Sequence, residues 1–523
     1  MISALAHLTR LGRAGLVFAR EGVLALVDPK PLPLPARAAL ACARLIERPT
    51  GERAAVRLAA ALTKLGPTYV KLGQFLATRP DVVGPALSRD LESLQDKMAP
   101  FPQADAEAAV ASALGKPLNK LFASFGPAHA AASIAQVHRA EIETPQGRRT
   151  VAVKVLRPGI ERRFRADLDS FFFAARQAEA FSAEARRLRL NEVVDTLART
   201  VAIEMDFRLE AAAISEMADN TRDDPDFRVP AVDWDRTAKD VLTLEWVGAT
   251  PLSDRARLVA TGFDLKHLGR ALLQTFLRHA LRDGFFHADM HPGNLFVDDS
   301  GRFVAVDFGI MGRLGPKERR FLAEILYGFI TRDYRRTAEV HFEAGYVPPH
   351  HAVESFAQAI RAIGEPIHNR TASEISMAKL LTLLFEVTGL FDMRTRPELL
   401  LLQKTMVVVE GVARSFDPDL DMWSTAEPVV RQWVERHLGP AGRIEDAAEG
   451  AVEVGRFLGG VPGLLARGAR IADQLDAATR DGLVLSPDTV AAIGAAEARR
   501  NRWTAVALWI IAGLLAWLVI WGV

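Results

Sequence analysis

Apolar residues recur every three or four positions over most of this chain, and that helical period gives way to strand-like runs in only a few places. After the break Pro31, Pro33, Pro35, the stretch Ala36 to Met98 reads as helices, with Leu62, Leu65, Tyr69, Leu72 and Leu76 on one apolar face. Lys71, Gln74 and Thr78 share another face of the same helix, as a solvated stripe or as polar groups aimed at one partner. From about Lys116 the pattern changes. Ile134 to Ile142 and Val151 to Leu156 are β-type runs joined by the turn Thr144-Pro145-Gln146-Gly147, which predicts a hairpin. Helical patterns follow to about Asn220, and Val241 to Val247 is a further strand ending at Gly248. Helices then dominate to about residue 440, interrupted by a second hairpin, Asn294 to Val297 and Phe303 to Val306 around Asp298-Asp299-Ser300-Gly301. Strands first and helices second predict an α+β, two-lobed plan behind an all-α N-terminal extension.

Both ends of the chain carry their own signal. Trp503 to Val523 has no charge over 21 residues and, as a helix, reaches across about 30 Å of hydrocarbon. It reads as a transmembrane anchor, with Trp503 and Trp521 near its ends and Arg499, Arg500 and Arg502 on a cytoplasmic side. At the other end Arg10, Arg13, Arg20 and Glu21 interrupt the apolar residues and leave no clean signal peptide. Ile2 to Val27 is instead an amphipathic surface helix or an Arg-rich transit segment. The expected divisions are an amphipathic segment 1–30, a helical extension 31–115, an N-lobe 116–247, a C-lobe 248–450, an amphipathic linker 451–502 and the anchor 503–523.

Composition narrows the class. With 523 residues, 49% of them hydrophobic, the chain can build real cores. The 65 Lys and Arg against 64 Asp and Glu leave a net charge of +1, so no global field draws the protein to nucleic acid. The single cysteine, Cys42, excludes an internal disulfide and a cysteine zinc site, and it reads as a small buried hydrophobe.

The candidate chemistry sits in His287-Ala288-Asp289-Met290-His291-Pro292-Gly293-Asn294 and the following Asp307-Phe308-Gly309. Phosphoryl transfer needs an acid or base beside the attacking hydroxyl, and oxygen ligands for a Mg²⁺ that bridges the phosphates. An Asp followed five residues later by an Asn, then a hairpin ending in Asp-Phe-Gly, supplies both. The interval matches the protein-kinase pattern H-R-D-L-x-x-x-N with D-F-G downstream, with Ala288 in place of Arg. On that pattern Asp289 orients or deprotonates the nucleophile, and Asn294 and Asp307 hold magnesium. His287 and His291 lack the Glu of a zinc-hydrolase motif, and Pro292 disfavours helix there, so they take positioning roles. Val151-Ala152-Val153-Lys154 matches the strand lysine motif V-A-I-K, in which Lys154 fixes the α- and β-phosphates of ATP. Glu204, Asp206 and Glu210 are its candidate helical partners, and Glu245, in the strand after them, is a further candidate contact to the cofactor. Where a kinase has G-x-G-x-x-G, this chain has Ala130-Ala131-Ala132-Ser133-Ile134-Ala135-Gln136, whose alanines do not enter positive φ freely. The cradle over the phosphates must therefore differ from a kinase's.

These motifs together resemble the UbiB family of atypical kinases, also called AarF or ABC1 kinase-like proteins, over about residues 60 to 320. The marks are Lys71-Leu72-Gly73-Gln74 as K-x-G-Q, the Ala-rich loop Ala131 to Gln136, Glu204-Met205-Asp206 as E-x-D, His287 to Asn294, and Asp307-Phe308-Gly309. Ala135 departs from the family's usual S-I-G-Q-V-H. The resemblance implies an atypical two-lobed protein-kinase-like fold that binds ATP and Mg²⁺. It also implies that Lys71, Gly73 and Gln74 fold over the site where a peptide would otherwise bind, as regulatory elements. Glu204 and Asp206 would then lie near that motif and the nucleotide, and Glu210 would pair with Lys154. The family is tied to ubiquinone biosynthesis, which points to membrane lipid, polyprenyl quinone precursors and other enzymes of that synthesis as partners. The older label 2-polyprenylphenol 6-hydroxylase finds no flavin or iron site in these residues.

Three functions follow. The leading one is an ATPase or lipid kinase facing the cytoplasm from a bacterial or organellar inner membrane. A small-molecule phosphotransferase is the second, because H-x-D-x-x-P-G-N also resembles aminoglycoside and choline kinases. A non-catalytic, nucleotide-gated scaffold is the third.

Overall fold

The computed structural model describes residues 2–26, 54–77, 98–366 and 397–439 continuously, with short pieces between 37 and 47, 79 and 91, and 387 and 393. Thr78, Cys42, the linker 451–502 and the expected anchor 503–523 lie outside the described residues. Among the described residues, no helix is long and apolar enough to cross a membrane. Residues 1–434 form one compact unit and 435–523 a second, of which 435–439 are described.

The N-terminal segment is a helix, α1 (Ile2–Arg20), which buries Ala14 and Ala19 and leaves Leu8 and Leu16 exposed. The helix expected to carry Leu62 through Leu76 is two helices. Gly66 sits at φ +107, outside helical backbone, and Pro67 starts a new helix with no N–H to continue the old one. The break separates α2 (Ala54–Leu65) from α3 (Pro67–Ala77). Leu62, Leu65 and Tyr69 are buried across it.

Following α4 (Gln103–Leu114), an antiparallel sheet runs in the order β1 (Ser124–Ala131), β2 (Ala135–Thr144), β3 (Gly147–Leu156), β4 (Val241–Glu245). The first hairpin closes with Thr144 opposite Gly147, whose φ of +112 favours glycine. Val151, Val153 and Val155 alternate onto one fully buried face with Ala140, Ile142 and Val110. Strand β1 was not legible, because Gly126, Pro127 and three alanines give it little strand propensity. It survives as an edge strand with register shifts on either side of Ala128, where a missing N–H is tolerated. Between β3 and β4 run α5 (Ile160–Phe181), α6 (Leu190–Glu204) and α7 (Phe207–Asn220). His7 stacks on Phe173 at 5.5 Å, which docks α1 on α5.

The helical part begins with α8 (Leu265–Arg278), whose last turn widens into a π-turn, His279–Asp283. Gly284, at φ +63, stops it and turns the chain into β5 (Phe285–His287). The second hairpin, β6 (Leu295–Val297) and β7 (Phe303–Ala305), is closed by the Asp298 carboxylate, which accepts from the N–H groups of Ser300 and Arg302 at 3.0 Å each. Strand β8 (Met311–Arg313) pairs with β5. Helices α9 (Pro316–Ile330), α10 (Tyr334–Glu343) and α11 (Val353–Gly364) follow, with Tyr334, Phe356 and Ile360 in a buried cluster. Helix α12 (Pro397–Phe416) lies against α8, closely enough that a Cβ on Gly269 would meet the Ala413 carbonyl at 2.9 Å.

Gly284 is the joint on which this half depends. A Cβ there would stand 2.4 Å from the Leu314 carbonyl oxygen, and the left-handed φ adds strain of its own. Gly284→Ala is expected to lower unfolding stability by about 2 kcal/mol or more, read by denaturant titration. An unchanged midpoint would mean that the backbone yields there freely.

Candidate active site

The buried valine face of β3 directs Lys154 to the opposite side of a central strand, and there its ammonium meets two carboxylates. Lys154 Nζ lies 2.9 Å and 3.0 Å from the two Glu210 oxygens and 2.9 Å from Asp307 Oδ1. Glu210 is buried in the first turn of α7, which Asp206 caps by accepting the Arg208 N–H at 3.2 Å. Burial opposes the charge on Lys154, but Asp307 and Glu210 outweigh it and hold its pKa above the ordinary lysine value. Lys154 in turn holds the Asp307 carboxyl well below the usual carboxylate range, against burial and with a smaller pull from Lys71. Burial raises the Glu210 carboxyl, and Lys154 offsets part of that rise. Of the three sequence candidates, Glu210 is the partner of Lys154.

Asp307 has φ +61, a conformation that Asp tolerates better than most residues. The strain is local and places its carboxylate beside the Lys154 ammonium at the end of the hairpin. Across the same hairpin, Asn294 donates its amide N–H to the Asp289 carboxylate at 3.1 Å and to the Asp289 carbonyl at 3.2 Å. That leaves the Asn294 amide oxygen as a free acceptor in type. His287 is buried, accepts the Asp289 N–H on Nδ1 at 3.1 Å and donates from Nε2 to the Val306 carbonyl at 3.3 Å. These partners assign the neutral Nε2–H tautomer, and burial lowers its pKa. Thr405 on α12 donates to the Ala288 carbonyl at 3.0 Å and steadies the loop from behind.

Lys71, on α3, forms an ion pair with Glu204 at 2.6 Å, both side chains largely buried. Gly73 is buried and Gln74 half-buried on the same helix. Asp206 is drawn instead to Arg208, whose hydrogen bond holds its carboxyl below the usual range.

The Ala-rich loop between β1 and β2 is pinned rather than open. Ala132 N–H bonds the Ala135 carbonyl at 2.8 Å, Ala131 accepts from Met98 N–H at 3.3 Å, and Ser133 and Ile134 are buried. The Arg157 guanidinium donates to the carbonyls of Ala132 and Ala99 at 3.1 Å and 2.7 Å. Ala135 lies in strand β2 opposite Leu156 and has no positive φ, so its methyl fits where glycine was expected. Gln136 is occupied: it accepts the Phe101 N–H at 2.9 Å and donates to His138 Nε2 at 2.9 Å. Glu245 likewise binds Arg228 at 3.1 Å and the Ala231 N–H at 3.2 Å. Both side chains serve as internal braces.

One group went unread in the sequence. Asp224, just beyond α7, accepts from His279 at 3.0 Å and from Arg282 at 2.5 Å and 3.2 Å, and so ties α7 to the π-turn before β5. Its residues are 55 and 58 positions apart and become neighbours only through the π-turn, so no local pattern announced them.

A strand lysine paired with a helical glutamate, beside a loop Asp and Asn and an Asp-Phe-Gly hairpin, defines the protein-kinase-like class. Residues 93–341 match the ABC1 atypical kinase-like domain and residues 360–421 the UbiB helical domain. A Marinobacter nauticus protein named probable protein kinase UbiB is 40% identical over 446 residues, covering 84% of this chain and 81% of its own length. One of the same name from Azotobacter vinelandii is 39% identical over 397 residues, covering 75% of this chain and 73% of its own length. A solved Mycobacterium tuberculosis structure, described as a complex of Rv3197 with erythromycin, aligns with 75% of this chain and 98% of that one at 24% identity and a TM-score of 0.49. The chain belongs to the UbiB family of ABC1 atypical kinase-like proteins.

Proposed function

We propose that this chain is a membrane-associated atypical kinase or ATPase that uses Mg-ATP in support of ubiquinone biosynthesis. Its catalytic part would face the cytoplasm from a bacterial inner membrane. The observation that carries the nucleotide reading is the Lys154 ammonium held between Glu210 and Asp307. A cation fixed in this way is a preformed point charge for the α- and β-phosphates. The donor set suits a hard divalent cation: the Asp307 carboxylate stays ionised beside Lys154, and the Asn294 amide nitrogen is spent on Asp289, leaving its oxygen. Asp307 and Asn294 would hold Mg²⁺, which when bound neutralises charge on the phosphates. Asp289, oriented through its N–H by neutral His287 and through its carboxylate by Asn294, would align the attacking hydroxyl or water and take its proton. Helix α3, bearing Lys71, Gly73 and Gln74, would screen this site from peptides and favour a small or lipid acceptor. The UbiB names of the relatives support the quinone pathway, and the uncharged segment 503–523 supports the membrane.

The test is phosphate release by the purified full chain with Mg-ATP, with and without vesicles and a phenolic quinone-like compound. Vesicles are expected to raise turnover, and Asp289→Asn to lower it by about a hundredfold or more. Tight nucleotide binding with no turnover under any condition would replace the enzyme by a nucleotide-gated scaffold.

A further inference from the structure

On the side of α3 that bears Tyr69, a cavity of ≈ 500 Å³ opens between α1, α2, α3 and the first turn of α5. Its wall carries four guanidinium groups, Arg10, Arg13, Arg162 and Arg163, against one carboxylate, Asp167. We propose that this cavity binds a phosphate-bearing anion, either a soluble phosphate ester or the headgroup of an anionic phospholipid.

The charge is built in by the sequence. Arg10 and Arg13 are three residues apart on one face of α1, and Arg162 and Arg163 lie in the first turn of α5, just past Gly159. Arg10 spends one N–H on the Ala166 carbonyl at 3.0 Å, and Arg163 spends one on the Leu65 carbonyl at 2.9 Å. Those bonds orient both guanidiniums and leave further donors. Arg13 and Arg162 have no hydrogen-bond or ion-pair partner among the described residues. Asp167 is already occupied by the Thr68 hydroxyl at 2.7 Å.

A second feature points to a ligand independently. Tyr69 is 7% exposed and its ring is fixed edge-on to Phe171 at 5.1 Å, yet this residue lines the cavity and its hydroxyl has no hydrogen-bond partner among the described residues. Burial, and then Asp167, push its pKa up to about 12, so the hydroxyl remains a donor at neutral pH. The N-terminal end of α5 adds a favourable dipole for an anion. Guanidinium forks match phosphate oxygens in pairs, and a surplus of three positive charges suits a dianion better than a carboxylate. A cavity of this size, open on one side, takes a single phosphate group with a small substituent, whereas nucleic acid needs an extended basic stripe. This inference is independent of nucleotide turnover, because none of these residues has a role in that chemistry.

Calorimetric titration of the full chain with inorganic phosphate, glycerol phosphate and a short-chain phosphatidylglycerol below its micelle concentration tests it. Saturable binding is expected for at least one probe, weakened about tenfold or more in the double variant Arg13→Ala, Arg162→Ala. Tyr69→Phe, which keeps the ring and removes the donor, should weaken the same probe by a few-fold at an unchanged melting temperature. Binding of the two soluble probes would assign a free phosphate ester, and binding of the phosphatidylglycerol alone would assign a lipid headgroup. No saturable binding of any probe, or equal affinity in wild type and the double variant, would overturn the proposal.

Discussion

Asp307→Asn should lower Mg-ATP turnover on the order of a thousandfold while leaving the folded chain close to wild-type stability. The carboxylate is the one strong anionic oxygen that the hairpin aims at Lys154, and the loss of a hard metal ligand removes several kcal/mol of charge stabilisation at the phosphates. Asparagine keeps the volume and tolerates positive φ as Asp does, so the backbone at φ +61 is not put under new strain. The Lys154 ammonium retains Glu210, and the Asp307 side chain is 54% exposed, so the fold loses little. Phosphate release and thermal unfolding measured on the same preparation separate the two effects. A drop in turnover below tenfold would remove Asp307 from the proposed chemistry.

The second large effect is on stability. Asp224→Ala is expected to cost on the order of 3 kcal/mol in denaturant unfolding, because it strands buried His279 and removes one of the two carboxylates, Asp224 and Asp283, that hold Arg282. The Asp224 side chain is 3% exposed. Burial would raise its pKa, but the hydrogen bonds from His279 and Arg282 prevail and hold the carboxyl well below its ordinary value. A depressed acid stabilises the fold above its unfolded pKa of about 4 and loses that contribution as pH falls through the folded value. The gap between wild type and variant should therefore be full at pH 7 and narrow below about pH 4. A loss under 1 kcal/mol at pH 7, or a gap that widens in acid, would show that the network does not brace the joint between α7 and the π-turn.

Sequence pattern disclosed the parts whose information is local. The hairpin around Gly147, the turn at Asp298 to Gly301 and the interval from Asp289 to Asn294 each depend on a few consecutive residues, and each is found where it was expected. The choice of Glu210 over Glu204 and Asp206 is a long-range matter, settled by how α7 packs beside β3 and by the use of Asp206 as a cap. The partners of Gln136 and Glu245 are likewise mostly long-range. Phe101 reaches Gln136 from 35 residues away and Arg228 reaches Glu245 from 17, while His138 adds a local contact on the same strand as Gln136. Strand β1 was hidden because an edge position asks little of its residues, and the arginine-lined cavity because its walls come from four helices, α1, α2, α3 and α5.

Gly66 divides what periodicity alone would render as one rod. With Pro67 offering no N–H, α2 and α3 share no helical hydrogen bond beyond this residue: the Gly66 N–H closes α2 on the Leu62 carbonyl, and the Gly66 carbonyl opens α3 by accepting from Tyr69 and Val70. Arg163 braces the junction beside buried Leu62, Leu65 and Tyr69, since its guanidinium donates to the Leu65 carbonyl and stands where any side chain on residue 66 would have to go. Lys71 thus sits on a helix whose register is set afresh at Pro67 instead of being inherited from α2.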